Sequence, residues 1–296
     1  MLEVKNLCIS YGKKATVKNV SFAVRTGQIV GLVGESGSGK STVVRSILGI
    51  LPSNGKVTSG DVTFQGERLI GLGSKDWRKI RGRKISMIFQ HPGNSLDPVM
   101  TVGAQFCECM KVIQGTTKVA ALEKAGKLLE ELHLSDPQRV LKSYPFELSG
   151  GMCQRVAIAL AMANNPDLLL ADEPTSALDV TVQAQTIDVM MELREKYGTA
   201  ILLVTHNMGV IAHMADMVGV MYQGELVEWG TRKEILGNPI HPYTKALIRA
   251  IPSMNGKMPE SIPVRQRMPY MVISETHWAG TGEEQNGKRN TCSYKS

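Results

Sequence analysis

No apolar run in this 296-residue chain approaches the roughly 18 to 20 residues needed to cross a bilayer. The longest, LLLA at 168–171 and AILLV at 200–204, have the length of buried strands. That excludes a chain built of membrane-spanning helices. The N-terminal LEVKNLCISY carries no signal pattern, and no signal peptide is expected. Cysteine is scarce as well: five residues, an odd number without framework spacing, argue against a disulfide scaffold and for reduced thiols in a cytosolic setting. No internal repeat is visible. The densest basic run, WRKIRGRK at 77–84, lacks the interleaved aromatic platform that a single-strand binder needs and reads as a solvated face. The net charge of +7 and pI near 9.1 fit nucleic acid, nucleotide phosphates or an anionic membrane surface, and choose none of them.

What is present is ordinary for a globular protein, with 43% hydrophobic and 21% charged residues and length for one large domain or two smaller ones. Strand-like and helix-like segments alternate, as in an α/β protein with a largely parallel sheet. QIVGLVG (28–34) reads as a buried strand and SGKSTVVRSILGI (38–50) as the helix after it. DVTFQGE (61–67) and KISMIFQ (84–90) look like further strands. From about 92 to 165 the chain turns helical, with 117–134 as its clearest amphipathic segment, and this section reads as an inserted helical subdomain. DLLLADE (167–173) restores the strand pattern, a helix over about 181–197 and a strand at 199–205 follow, and 217–230 resembles a hairpin turning at Gln223-Gly224. Residues 254–296 are polar, lack sustained periodicity and are expected to be a loosely ordered tail.

GESGSGKS at 34–41 matches GxxxxGK[ST] between a predicted strand and a predicted helix. Glycines let backbone N–H groups turn inward around a phosphate chain, and the following helix adds its positive end. Lys40 would reach the β- and γ-phosphates and Ser41 would ligate Mg²⁺. The strand 168–171 ends in Asp172 and Glu173. Two acids closing a strand are common; beside a phosphate loop, Asp172 can hold Mg²⁺ through its water shell and Glu173 can take a proton from an attacking water. Gln90 and His206 each follow a strand. Either is a bland strand-end residue alone, but such ends face the ligand crevice in doubly wound sheets.

Two adjacent glycines, Gly150 and Gly151, open a helical run, where glycine costs about 1 kcal/mol relative to alanine. Taken in order, these pieces resemble the ATP-binding cassette ATPases over residues 1 to about 253. Tyr11 matches the aromatic position that stacks on adenine, 34–41 the Walker A loop with Gly34, Ser36, Gly37, Gly39, Lys40, Ser41 and Thr42 at the nucleotide, and Gln90 the Q-loop, which also reaches Mg²⁺. LSGGM (148–152) matches the family signature, LLLADE Walker B, SALD (176–179) the D-loop with Asp179, and VTHN places His206 at the switch histidine. The resemblance implies an α/β fold: a P-loop NTPase core with a mixed sheet, an N-terminal antiparallel β subdomain and the inserted helical subdomain. It implies that two such domains pack head to tail with two ATP molecules between them. Ser149, Gly150 and Gly151 of one chain would then close on the γ-phosphate held by the other, leaving no room for side chains there.

Finer similarities at 93–105, 143–152, 179–185 and 238–252 point to the oligopeptide/dipeptide/nickel importer ATPases, and Met152 stands where many cassette ATPases carry Gln. That resemblance implies an ATP-hydrolysing subunit on the cytoplasmic face of the cell membrane, peripherally bound, powering uptake of peptides or nickel chelates. Its partners would be a second, non-identical ATPase subunit, two transmembrane permeases and, indirectly, an extracellular binding protein. The segment after Gln90 and the helical insert would receive the permease. Many members carry a cysteine-containing tail, some with an iron–sulfur cluster; here the tail has only Cys292, and no cluster is expected. Cys107 and Cys109 read as helix-face residues rather than metal ligands. The alternative, a non-transport cassette ATPase acting on nucleic acid or ribosomes, lacks the long coiled coils or second cassette usual there. A regulator without turnover would have a degraded Walker B or switch histidine, and both are intact.

Overall fold

The computed structural model describes residues 1–90, 95–176, 179–250 and 268–281. Apolar residues at Leu2, Val4, Leu7 and Ile9 fall on one face of β1 (Leu2–Tyr11), which pairs antiparallel with β2 (Lys14–Val24). Asn6 and Asn19, at φ 48° and 52°, shift that register, and asparagine tolerates this geometry. β3 (Ile29–Val33) is buried along its whole length, and a glycine-rich loop leads from it into α1 (Lys40–Ile47). β4 (Gly55–Phe64) and β5 (Glu67–Arg68) complete a four-stranded sheet in the order β2-β1-β4-β5. The strand read at 61–67 therefore stops at Phe64. Gln65 and Gly66, at φ 51° and 82°, make the tight turn into β5.

A second compact unit occupies Gly73–Ile201. After α2 (Ser74–Ile80), β6 (Ile85–Ile88) pairs in parallel with β7 (Leu168–Asp172). Between them run α3 (Val102–Gln114), α4 (Lys118–Glu131), α5 (Pro137–Lys142) and α6 (Gly150–Met162). Their starts are written in the sequence: Thr101, Thr117, Asp136 and Ser149 each accept a backbone N–H as N-caps, and Pro137 takes the first helical position of α5. Cys107 and Cys109 lie on α3; Cys109 accepts from the Asn164 amide at 3.5 Å, and burial pushes its thiol up. α7 (Val180–Tyr197) is capped by Asp179 and closed by Gly198 at φ 65°. β8 (Ala200–Thr205) crosses from this unit into the other.

The first unit, Met1–Leu72, is completed by Leu202–Ser296. α8 (Met208–Met214) packs Ile211 over Gly31 of β3. β9 (Met217–Tyr222) pairs in parallel with β3 and antiparallel with β10 (Glu225–Thr231). The turn between them falls at Gln223-Gly224, φ 48° and 87°, as expected from the sequence. α9 (Arg232–Gly237) and α10 (Pro242–Arg249) follow. Of the stretch 254–296, residues 268–281 carry β11 (Met271–Val272) and β12 (Trp278–Ala279), with Trp278 opposite Trp229 of β10. The rest of that stretch lies outside the described residues, Cys292 included. Strand order across this unit is β11-β12-β10-β9-β3-β8.

Candidate functional site

The 34–41 loop is built by β3 and β9 together. Gly34 sits at φ 154°, where a Cβ would run into the Met221 carbonyl oxygen, so only glycine lets the loop turn this close to β9. Ser36 and Gly37 are exposed, and Gly39 caps α1 at φ 102° with no side-chain cap on the helix start. Lys40 is 4% exposed. Its ammonium donates to the Gly34 carbonyl at 2.7 Å, the Glu35 carbonyl at 2.8 Å and the Ser38 hydroxyl at 3.4 Å. A buried ammonium held in place by the loop's own carbonyls suits an anionic ligand. Ser41 and Thr42 are half-buried, and the Tyr11 hydroxyl donates to Thr42 Oγ1 at 3.3 Å. The Tyr11 ring lies over Gly55, where a Cβ would press on it. The structure thus brings Tyr11 together with the phosphate loop.

In the second unit, Asp172 ends β7 at 1% exposure, and Glu173 follows with φ 49°. A non-glycine residue held there carries strain of order 1 kcal/mol or more, and such strain clusters at functional sites. Ser176 donates its N–H to the Glu173 carbonyl at 3.1 Å and its hydroxyl to the Gln90 carbonyl at 2.8 Å. That joins the residue after β6 to the turn after β7. Asp179 accepts from Val182 N–H at 2.9 Å as the cap of α7. His206, in the first unit, is exposed just past β8, followed by Asn207 capping α8.

The signature residues open α6. Ser149 accepts from Met152 N–H at 3.3 Å. Gly150 faces open space, whereas a Cβ on Gly151 would stand 2.9 Å from Val182 Cγ1 on α7. Among the described residues, one glycine therefore has a packing reason inside the chain and the other has none. Arg155 binds this helix to its neighbours, donating to the Leu132 and His133 carbonyls at 3.2 and 3.1 Å and to the Gln185 amide oxygen at 2.7 Å.

A family model described as ABC transporter matches residues 17–176, and one described as the oligopeptide/dipeptide transporter C-terminal region matches 227–276. The chain belongs to the ABC transporter family. It is 40% identical to the dipeptide transport ATP-binding protein DppD of Lactococcus lactis subsp. cremoris, over 95% of this chain and 90% of that protein. It is 43% identical to the oligopeptide transport ATP-binding protein OppD of Bacillus subtilis, over 88% and 75% respectively. Among solved structures, the dimeric ATP-binding cassette MJ0796 in a post-hydrolysis state with ADP and Pi is 30% identical, with a TM-score of 0.69 over 78% of this chain and 99% of that one. As an ABC chain it fits a nucleotide: a glycine cradle around a buried lysine suits phosphate, and the Ser41 hydroxyl in the same unit is a hard oxygen donor of the kind a magnesium ion takes.

Residues that motif reading assigned no role complete the picture. Tyr243, at 2% exposure, accepts the Glu35 N–H at 2.8 Å. Burial, foremost, pushes its hydroxyl up to about 12. Glu228, fully buried in β10, accepts from the Ile240 and His241 N–H groups at 2.8 and 3.0 Å and pairs with His277 at 2.8 Å. A signal for Glu228 existed: a glutamate inside the apolar run LVEWG must have partners.

Proposed function

We propose that this chain is the ATP-binding, ATP-hydrolysing subunit of an importer that powers uptake of di- or oligopeptides. The observation that carries the reading is the loop closed on Lys40 by its own carbonyls, next to Tyr11. The peptide assignment is supported by the match of 227–276 and by the peptide-transport names of the relatives. Neither supports action on nucleic acid or ribosomes.

In this reading the adenine stacks on Tyr11, and the backbone of 34–41 with Lys40 and Thr42 cradles the phosphates. Ser41 and Gln90, with Asp172 through water, would hold Mg²⁺, which would supply charge neutralisation at the phosphates. Glu173 accepts a proton from the water that attacks the γ-phosphorus, His206 orients that water, and ADP departs with the β–γ bridging oxygen. Ser149, Gly150 and Gly151 act on the nucleotide of a second ATPase subunit, of different sequence, and Asp179 lies at that junction. Residues 1–253 form the nucleotide-binding domain, with a helical part at about 92–165, and the protein sits on the cytoplasmic face of the membrane against two permease chains. A binding protein outside selects the cargo.

The test is purification of tagged protein from native membranes with ATP and Glu173→Gln. Two polytopic membrane proteins and a second cassette ATPase are expected alongside it, and the binding protein of that system is expected to take peptides. Recovery of ribosomes or nucleic-acid enzymes would refute the importer, and a binding protein that takes only nickel chelates would refute the peptide cargo.

A further inference from the structure

Contacts reach the outer side of the 34–41 loop from the C-terminal third of the chain. The Met221 carbonyl lies against Gly34, and Gly224 in the β9–β10 turn donates its N–H to the Ser38 carbonyl at 3.1 Å. Both are backbone contacts fixed by the sheet. The third is a side chain: the Tyr243 hydroxyl on the Glu35 N–H, at 2.8 Å.

That hydroxyl and Lys40 hold opposite edges of one peptide unit. The peptide joining Gly34 to Glu35 is planar, with its C=O and N–H pointing in opposite directions. Tyr243 takes the N–H edge, and Lys40 Nζ donates to the C=O edge at 2.7 Å. Gly34 offers no side chain to resist rotation of this plane. Without Tyr243 the N–H would turn to find water, and the carbonyl that orients the ammonium would turn with it.

Tyr243 is itself fixed from behind. Its ring stands 4.2 Å from that of Tyr222, and its own N–H donates to His241 Nδ1 at 3.2 Å. The His241 and Ile240 N–H groups end on Glu228, which His277 pairs from the β11–β12 hairpin at 1% exposure. A continuous run of hydrogen bonds thus leads from the C-terminal hairpin to the phosphate loop, every link inside the first unit.

We propose that Tyr243 is a positioning residue for the nucleotide site, aiming Lys40 by clamping the 34–35 peptide. This rests on the ATP-binding reading above. The test is nucleotide affinity of the full chain, measured calorimetrically for MgATP, MgADP and AMP, in wild type, Tyr243→Phe and Tyr222→Phe. Phenylalanine keeps the ring and removes one hydrogen bond, so MgATP and MgADP affinity should fall about fivefold. AMP, which does not reach Lys40, should bind as before, and Tyr222→Phe should match wild type. Exchange of the Glu35 amide should accelerate in Tyr243→Phe alone. Glu35→Pro deletes the same bond from the loop side; it should reproduce the phosphate-dependent loss and make an added Tyr243→Phe silent. That second route stands if Tyr243→Phe does not fold. Unchanged MgATP and MgADP affinity in both variants, or an equal loss for AMP, would overturn the positioning role, because a general packing defect does not sort nucleotides by phosphate count. Failure of the wild-type chain to bind MgATP at all would instead refute the nucleotide reading itself.

Discussion

Two neighbouring glycines at the start of α6 separate two kinds of constraint. Gly151 is required by Val182, a stiff β-branched side chain that an added methyl would have to displace. Gly151→Ala should therefore lose roughly 1–2 kcal/mol, overpacking partly offset by alanine's better helix propensity, read as a Tm lower by a few degrees. Gly150 has open space around it, so Gly150→Ala should leave Tm within about 2 °C of wild type. If its face meets a partner's phosphate, the same change should cost at least about tenfold in ATPase rate, measured by phosphate release in the assembled transporter. Glu173→Gln should bind MgATP as wild type does while turnover falls by about 100-fold or more, the contribution of a general base. Sequence motifs identified these positions because each motif is a short, contiguous string. They could not separate Gly150 from Gly151, since Val182 lies 31 positions away and only the crossing of α6 and α7 brings it near. The same holds for Tyr243, whose partner is a backbone N–H that has no residue identity to read.

Among elements, β10 shows what a buried charge demands. Glu228 satisfies two N–H groups of the segment entering α10 and one imidazole of the C-terminal hairpin. Glu228→Ala would leave all three without an acceptor in the interior and should destabilise the chain by about 3 kcal/mol or more, visible in denaturant unfolding as a lower midpoint. Glu234, at the start of α9, binds the other side of that hairpin. Burial alone would raise its carboxyl, but hydrogen bonds from the Ser274 hydroxyl, the Thr231 N–H and hydroxyl and the Thr276 hydroxyl outweigh it and hold the group at about 2, against 4.5 for an ordinary glutamate. A folded value below the unfolded one means the stabilisation is complete above about 4.5 and is lost as pH falls toward 2. The protection factors of amides at residues 271–279, corrected for intrinsic exchange at each pH, should fall as pH drops through that window in wild type and stay flat in Glu234→Gln. The sequence showed most strands and helices because their periods and caps are local. It misplaced the end of β4, although Gln65-Gly66 carries the same turn chemistry as Gln223-Gly224, because the residues beyond that turn are too few for alternation to register. The β11–β12 hairpin has two-residue strands, which show no period at all, and its place is set by pairing with β10.

At the scale of the whole molecule, fold class and family were legible because so many motifs recur in a fixed order. The first unit takes both ends of the sequence, and the second occupies the middle. If the proposed pairing with a second ATPase holds, Glu173→Gln with ATP should elute as a stable dimer with that subunit in size exclusion, and wild type should not. The pairing of β3 bears on how the protein is made. Ile29 donates to the Asp216 carboxylate across 187 positions, and β3 pairs in parallel with β9 on that same side. At synthesis rates of roughly 5–20 residues per second, about 10 to 40 s separate the two strands leaving the ribosome. For that interval the nascent chain carries its phosphate loop without the wall that shapes it, and a message truncated before residue 216 would yield a product in which β3 has no β9 to lie against.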